Sequence, residues 1–393
     1  MKLLHTSDWH IGRSLFEFSL IEDQKHIFHQ FYDIVAEEQP DAILVSGDLY
    51  DRSLPPAQAV SLLDEVFTTL ITRFHIPVLG ISGNHDSARR IAYGSRLFEE
   101  SGLYLEGAFS PKLRKITLLD ELGPVHFFLL PYFFPQQVRL AMDLTPEECR
   151  TSSQAFQKIM EYNAPFIPKE ERCVLLAHGF FMKSKHQNKE APEMPATCQS
   201  ETMVGTSDLT DLSVADCFDY VALGHLHNAQ SAGCDTMRYS GSPLKYSLDE
   251  ANSPKSVTIV ELGEKGQASY RKIPLTPLRD LRLIQGTIEE LCDPKLSSDD
   301  YVFAQIISHG PVLNAMSRLR EVYPHTLGLS FQQFIPSQSA LPQRDLASLP
   351  PEELFSRFYQ STMEQELTDT DQVLIQEVFR SLQGEDASSE KED

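Results

Sequence analysis

Long apolar runs are missing from this 393-residue chain, and so is any surplus of positive charge. No stretch approaches the roughly 20 apolar residues that a membrane-spanning helix needs. The opening Met1-Lys2-Leu3-Leu4 runs into Asp8 and His10 without room for the apolar core of a secretory signal. A cytoplasmic protein with no membrane partner is therefore expected. The six cysteines, Cys149, Cys173, Cys198, Cys217, Cys234 and Cys292, contain no Cys-x-x-Cys pair. That excludes a zinc knuckle and a thioredoxin-like site and reads as reduced thiols. No Gly-x-x-x-x-Gly-Lys-Ser/Thr loop occurs, so any use of ATP has to come from a partner. Lys and Arg number 34 against 56 Asp and Glu, a formal charge of −22. Such a balance argues against a protein that grips nucleic acid by a broad basic surface. It leaves open a site whose cations face phosphate, or a partner that supplies the basic track.

What is present is 41% apolar and 23% charged residues, the composition of a globular protein with a sizeable core. Residues 2–7 read as a short buried strand that delivers Asp8-Trp9-His10. In an extended segment residues two apart face one side, so Asp8 and His10 can share a cation. Residues 21–38 carry Ile27, Phe31, Ile34 and Val35 at helical spacing, with His26 and His29 read as solvated. Residues 42–46 form a continuous apolar run, the mark of a strand buried on both faces. Gly47-Asp48-Leu49-Tyr50-Asp51-Arg52 follows it. A second helix over 55–73 leads to a strand over 76–81 that ends in Gly83-Asn84-His85-Asp86. Open α/β sheets hold ligands at the carboxyl ends of their strands, and Asp48 is the carboxylate best placed to bridge two cations.

Strands over 103–105, 115–119 and 125–130 are read as continuing the sheet with no reactive side chains at their ends, and His126 as a core histidine. A helix over 145–162 precedes the apolar run 173–177, which ends in His178-Gly179. Segment 183–207 reads as a long polar loop whose Lys183, Lys185 and Lys189 are solvated or touch phosphate. The run 220–224 then ends in His225-Leu226-His227, and 256–261 pairs with 269–273. Five strand-like segments thus end in hard or borderline ligands. Their seven donors exceed the need of one tetrahedral zinc and suit two ions sharing a carboxylate. Imidazole, carboxylate and amide without thiolate fit manganese, iron or zinc.

The domain reading is 1–273 for the catalytic body, 274–334 for a small α+β unit, 335–347 for a linker, 348–383 for two helices and 384–393 for an acidic tail. Ser348-Leu349-Pro350-Pro351-Glu352 starts a helix by a hydroxyl cap, first-turn prolines and an acidic first turn. Its stripe Leu354, Phe355, Phe358 and Tyr359, with Leu374, Val378, Phe379 and Leu382 on the second helix, either folds back or docks onto a partner. Docking is the favoured reading.

The blocks Asp8-x-His10, Gly47-Asp48-x-x-Asp51, Gly83-Asn84-His85-Asp86, His178-Gly179 and Gly224-His225-x-His227 resemble the calcineurin-like metallophosphoesterases. Thr6-Ser7-Asp8-Trp9-His10-Ile11-Gly12 and Tyr239-Ser240-Gly241-Ser242-Pro243 are similar to the SbcD branch, the nuclease subunits of bacterial SbcCD complexes. The resemblance implies an α/β (α+β) fold: a four-layer β-sandwich flanked by helices, with a capping domain that recognises DNA and C-terminal helices. It implies two divalent ions, manganese first, with magnesium, iron or zinc as alternatives. One would be held by Asp8, His10, Asp48 and His227, the other by Asp48, Asn84, His178 and His225, with His85 as proton donor. Archaeal and eukaryotic relatives carry a second histidine where this chain has Asp51. That leaves an acid–base role, a DNA-positioning role, or a hydrogen bond to His85 or a ligand open for Asp51. The implied partners are DNA, the coiled-coil ATPase SbcC bound through the C-terminal helices, and a second copy of the chain within a heterotetramer. The implied activities, with SbcC, are ATP-dependent double-strand 3′–5′ exonuclease and single-strand or hairpin endonuclease, in DNA repair, replication and recombination. A metal-dependent phosphatase or phosphodiesterase acting on a non-DNA substrate is the alternative.

Overall fold

Apolar runs in the first two-thirds of the chain build two six-stranded sheets laid face to face in the computed structural model. The structure describes residues 1–183, 196–199, 201, 209–308, 312–333, 350–363, 367–368, 371–376 and 378–379. In chain order the principal elements are β1 (Lys2–Thr6), α1 (Ile21–Glu38), β2 (Ala42–Ser46), α2 (Ala57–Thr68), β3 (Val78–Ile81), β4 (Leu103–Glu106), β5 (Arg114–Asp120) and β6 (Gly123–Leu130). They continue with α3 (Pro135–Met142), α4 (Ser152–Asn163), β7 (Arg172–His178), β8 (Tyr220–Gly224), β9 (Gln230–Cys234), β10 (Met237–Tyr239), β11 (Ser256–Leu262) and β12 (Ala268–Pro274).

The first sheet runs β12-β11-β1-β2-β3-β4 and the second β9-β10-β8-β7-β6-β5. Residues 103–130 therefore do not all continue one sheet. Only β4 does, while β5 and β6 open the second. The reason lies in the alternation along β6. Val125, Phe127 and Leu129 face the first sheet's Leu3, Leu44 and Leu79 in the inner core, whereas Phe128 and Leu130 face outward beneath Phe156 and Ile159 of α4. On the far side Ile43 and Val45 pack under Ile27 and Phe31 of α1 and Val66 of α2. Helix, sheet, sheet and helix make four layers, with the central strands of each sheet buried on both faces.

Helix α1 has the bounds read from its periodicity and stops at Gln39, whose φ of 47° is left-handed. The helix read over 145–162 begins later, because Thr151 caps it by accepting from Gln154 N at 3.2 Å. A further helix, α3, precedes it and ends at the left-handed Asp143.

After Pro274 a three-stranded sheet forms from β13 (Leu281–Gly286), β14 (Tyr301–Ser308) and β15 (Thr326–Gln333), with α5 (Ala315–Val322) against it. Ile288, Val302, Ile306, Leu319 and Tyr323 give it a core of its own. It is tied to the body through buried Asp23, which accepts from Arg279 Nη1 at 2.8 Å and from Tyr301 OH at 2.8 Å. Residues Met1–Gln332 form one compact unit and Gln333–Asp393 a second. The second contains α6 (Pro351–Met363) and a helical turn from Asp371. The linker and acidic tail read from the sequence, and most of the polar segment 183–207, lie outside the described residues. No helix among the described residues is long and apolar enough to cross a membrane.

Candidate metal centre

Strands β1, β2 and β3 are parallel neighbours, so their carboxyl ends share one rim. Strands β7 and β8 are also parallel, with Gly224 beside His178. The five reactive strand ends meet at that rim. Asp8, His10, Asp48, His178, His225 and His227 are buried there, and Asn84, His85 and Asp51 are half-buried.

The route by which Asp8 and His10 come together differs from an extended strand. Both are left-handed, with φ of 54° and 43°. Their backbones follow the turn after β2: Asp8 N donates to Gly47 O at 3.0 Å and His10 N to Asp48 O at 2.9 Å. Trp9 packs edge-on against Phe28 at 5.0 Å in the helix layer. Tertiary pairing with the neighbouring loop, not strand pleat, aims both side chains inward.

Asp8, His10 and His227 each offer a donor atom within 4.8 Å of the other two, as do Asp8, Asp48 and His178, and also His10, Asp51 and His85. His10 Nε2 lies 3.2 Å from His227 Nε2 and 3.6 Å from Asp48 Oδ2. His178 Nε2 is 3.3 Å from Asp48 Oδ2 and 3.0 Å from Asn84 Oδ1, and His225 Nδ1 is 3.1 Å from the same amide oxygen.

The hydrogen bonds on the far side of two rings fix their tautomers. His178 Nδ1 donates to Ser46 O at 2.8 Å, and His227 Nδ1 faces Glu250 Oε1 at 3.3 Å. Each Nε2 then faces oxygen or nitrogen atoms of the cluster, whose lone pairs repel unless positive charge, a proton or a cation, lies between them. The ionisation of the cluster answers to the same need. Burial opposes charge on His178, but the Asp48 carboxylate, its hydrogen bond and Asp8 outweigh it and push the ring up to about 9. Burial also opposes ionisation of Asp48, yet His178 and His10 hold its carboxyl below the ordinary range. Burial and then the His178 charge push His225 down to about 3. The donor set fits two hard or borderline divalent cations, and it contains no thiolate.

Among the supporting residues, Glu250, Lys255 and Glu201 carry no signal in the sequence. Glu250, buried and held ionised, accepts from Lys255 Nζ at 2.6 Å and from Ser247 Oγ at 2.7 Å. Lys255 Nζ also donates to His227 O at 2.9 Å. Glu201, pushed up to about 7 by burial, accepts the His227 backbone N–H at 2.7 Å. Asp86 accepts from Leu49 N, Tyr50 N and Gly83 N at 2.9–3.0 Å and so staples the loop after β2 to the loop after β3. Gly83 is required for close approach: a Cβ there would lie 2.1 Å from Asp48 Oδ1.

His85 donates its backbone N–H to Asp48 Oδ1 at 2.8 Å, and its Nδ1 faces the Asp51 carbonyl at 2.9 Å. The Asp51 carboxylate lies within 4.8 Å of the His85 ring but pairs with Arg13 Nη1 at 2.9 Å and Arg52 Nη2 at 3.3 Å. Thus it is the backbone of Asp51 that meets His85. Arg89 and Arg90 are exposed. His126 is buried between Thr117, at 2.8 Å, and Glu171, as a core histidine.

A family model described as calcineurin-like phosphoesterase matches residues 1–229, and one described as type 5 capsule protein repressor C-terminal domain matches residues 277–363. A relative named as the SbcD subunit of the nuclease SbcCD, from Staphylococcus saprophyticus, is 32% identical over 386 residues, covering 97% of this chain and 98% of its own length. Its namesake from Staphylococcus epidermidis is 31% identical over 371 residues, covering 94% and 95%. With the parallel-strand rim and its donor cluster, these similarities place the chain among the calcineurin-like phosphoesterases and, within them, in the SbcD family of metal-dependent nucleases.

Proposed function

We propose that the chain hydrolyses DNA phosphodiesters as the nuclease subunit of an SbcCD-type complex. One observation carries the reading: seven oxygen and nitrogen donors, none of them thiolate, converge on a single rim in a chain matched along nearly its whole length by SbcD relatives. Asp8, His10, Asp48 and His227 would hold one cation and Asp48, Asn84, His178 and His225 the other, with manganese the first candidate. Bound divalent cations supply charge for the phosphate oxygens and acidify a water for in-line attack.

The chain's own residues then have distinct tasks. Asp48 stays ionised between the two halves of the cluster and presents its other oxygen to His85 N. His85, with Nδ1 turned to the Asp51 carbonyl, keeps Nε2 for handing a proton to the leaving sugar oxygen. Asp51 acts through its backbone on His85 and through its carboxylate on Arg13, a residue suited to a phosphate contact.

Exposed Leu354, Phe355 and Phe358, with Val373, Leu374 and Val378, support docking of the C-terminal helices onto the ATPase SbcC, which would bring the ATP dependence that this chain lacks a loop for. A second copy of the chain in a cytoplasmic heterotetramer completes the assembly. With SbcC the expected activities are ATP-dependent 3′–5′ degradation of duplex ends and cleavage of single strands and hairpins, serving DNA repair, recombination and replication. The test is a cleavage assay on linear and hairpin duplexes with and without manganese, ATP and the ATPase partner. Cleavage that needs manganese supports the reading; turnover of a phosphopeptide with no DNA cleavage overturns it in favour of a phosphatase.

A further inference from the structure

Strand β6 reaches the same rim as the ligand-bearing strands but brings no metal donor. It runs parallel to β7, with Leu130 beside Ala177, and Pro131 is followed by Tyr132-Phe133-Phe134. Tyr132 N donates to Ser82 O at 3.0 Å, so this segment crosses from the second sheet to the first directly beside Gly83 and Asn84. Phe133 turns inward and is buried. The other two rings stay at the site. Tyr132 stands edge-on 6.2 Å from the His178 ring, and Phe134 meets Tyr132 at 4.9 Å with 53% of its surface exposed. A cleft of about 510 Å³ has Asn84, His85, His178 and His225 in its lining together with the whole Tyr132-Phe133-Phe134 segment, whose exposed ring is Phe134.

Phe134 adds little to the core, yet its backbone is fixed. It starts α3, its N–H donating to Gln137 Oε1 at 3.0 Å and its carbonyl accepting Gln137 N at 2.9 Å. An exposed aromatic held on a rigid helix start next to a polar centre calls for a flat, apolar-faced ligand. A phosphodiester lying among the donors carries such a group one sugar away, its base. Sugar and phosphate would gain little from that wall, whereas every base has a π-face and stacks on aromatic rings without regard to sequence.

We propose that Phe134, braced by the perpendicular ring of Tyr132, is a stacking platform for the nucleobase adjoining the scissile phosphate. This rests on the nuclease reading and extends it. A base inside a duplex already has both faces covered, so it must leave the stack to reach the platform, and that step is least costly at frayed ends, hairpin loops and single strands. The platform thereby biases cleavage toward unpaired positions without any base-specific hydrogen bond.

The test crosses enzyme variants with substrates. Full-length protein with its ATPase partner and manganese is assayed on single-stranded oligonucleotides that carry either a normal or an abasic nucleotide beside the cleaved bond, on each side in turn. Phe134→Ala and Phe134→Leu are expected to lower kcat/KM on normal DNA about 5- to 150-fold, and Phe134→Tyr to restore it. The abasic substrate should lower wild-type turnover by a similar factor on one side of the bond, with no further loss for Phe134→Ala on that substrate. Unchanged thermal melting and manganese binding in the variants accompany this result. Equal losses on normal and abasic DNA, or no loss on normal DNA, overturn the platform while leaving the nuclease reading intact. A wild-type complex that cleaves neither substrate overturns the nuclease reading and the platform with it.

Discussion

At the residue scale, His227 is the most constrained donor of the rim. Glu201 holds its N–H, Lys255 its carbonyl and Glu250 its Nδ1, so Nε2 is left for the cluster. Removing the carboxylate that sets a ligand's tautomer weakens metal binding by about 10- to 100-fold, which is the loss expected for Glu250→Gln by calorimetric titration with manganese. The same change strands Lys255 as a buried charge, at a cost of about 3–5 kcal/mol. Adding Lys255→Met should recover most of the melting temperature but not the affinity. Were Glu250→Gln to bind manganese like the wild type, the positioning role of Glu250 would be wrong. Asp48 makes a sharper demand. Bound at a hundredfold excess over its Kd, a metal stabilises the folded state by about 2.7 kcal/mol. Melting curves with and without manganese should show that gain in the wild type and little of it in Asp48→Asn.

At the scale of elements, the loops after β2 and β3 behave as one piece. Asp86 receives backbone N–H groups from both, and Gly83 lies so close to Asp48 that a methyl group would meet its carboxylate at 2.1 Å and its backbone N at 2.5 Å. Gly83→Ala is expected to cost about 1–3 kcal/mol through overpacking and to weaken manganese binding, because the group that must move is itself a candidate ligand. Gly266→Ala is the control. It sits in the turn between β11 and β12 at φ +83°, with nothing within 4 Å of its added methyl. Its cost should be the left-handed strain alone, about 1–2 kcal/mol, with metal affinity unchanged. If both variants bound metal equally well, the close approach at Gly83 would not matter to the centre.

For the whole molecule, the two sheets are clasped at the rim opposite the site. Arg172, buried at the start of β7, donates to Asp120 Oδ2 at 2.8 Å and to the carbonyl of Gly263, just past the end of β11 in the first sheet, at 3.3 Å. The hydrogen bond to Arg172, against burial, holds Asp120 below the ordinary carboxylate range. Because the folded pKa is depressed, this stabilisation is present above about 3.9 and is lost as pH falls below it. Asp120→Asn should therefore lower the melting temperature at neutral pH, with a smaller difference from the wild type in strong acid, and leave manganese affinity intact. The second unit answers a different question. Residues 1–332 form a compact unit with their own cores, so deleting residues 345–393 should leave the metal centre folded and manganese-binding while abolishing co-elution with the coiled-coil ATPase. Unchanged co-elution would refute docking through the C-terminal helices.

The sequence by itself determined most of the elements, α3 excepted, and the chemistry at their ends. Alternation and helical spacing are local, so α1 was legible over its full length, and Asp8, Asp48, Asn84, His178 and His225 could each be seen to follow an apolar run. Only the tertiary structure decided how those ends meet. Which sheet β5 and β6 join depends on what covers each face of β6, and no local pattern encodes that. Asp8 and His10 converge through left-handed turns paired to the loop after β2, although their spacing suggested an extended strand. Glu250 and Lys255 lie 23 and 28 residues beyond His227 and become its partners only when the chain between them folds back. Tyr132 and Phe134, at a strand end read as carrying nothing reactive, gain meaning from the Ser82 contact that brings them beside Asn84. Periodicity follows from the geometry of a few consecutive residues, whereas a site's charge balance and its walls arise from contacts between residues far apart in the chain.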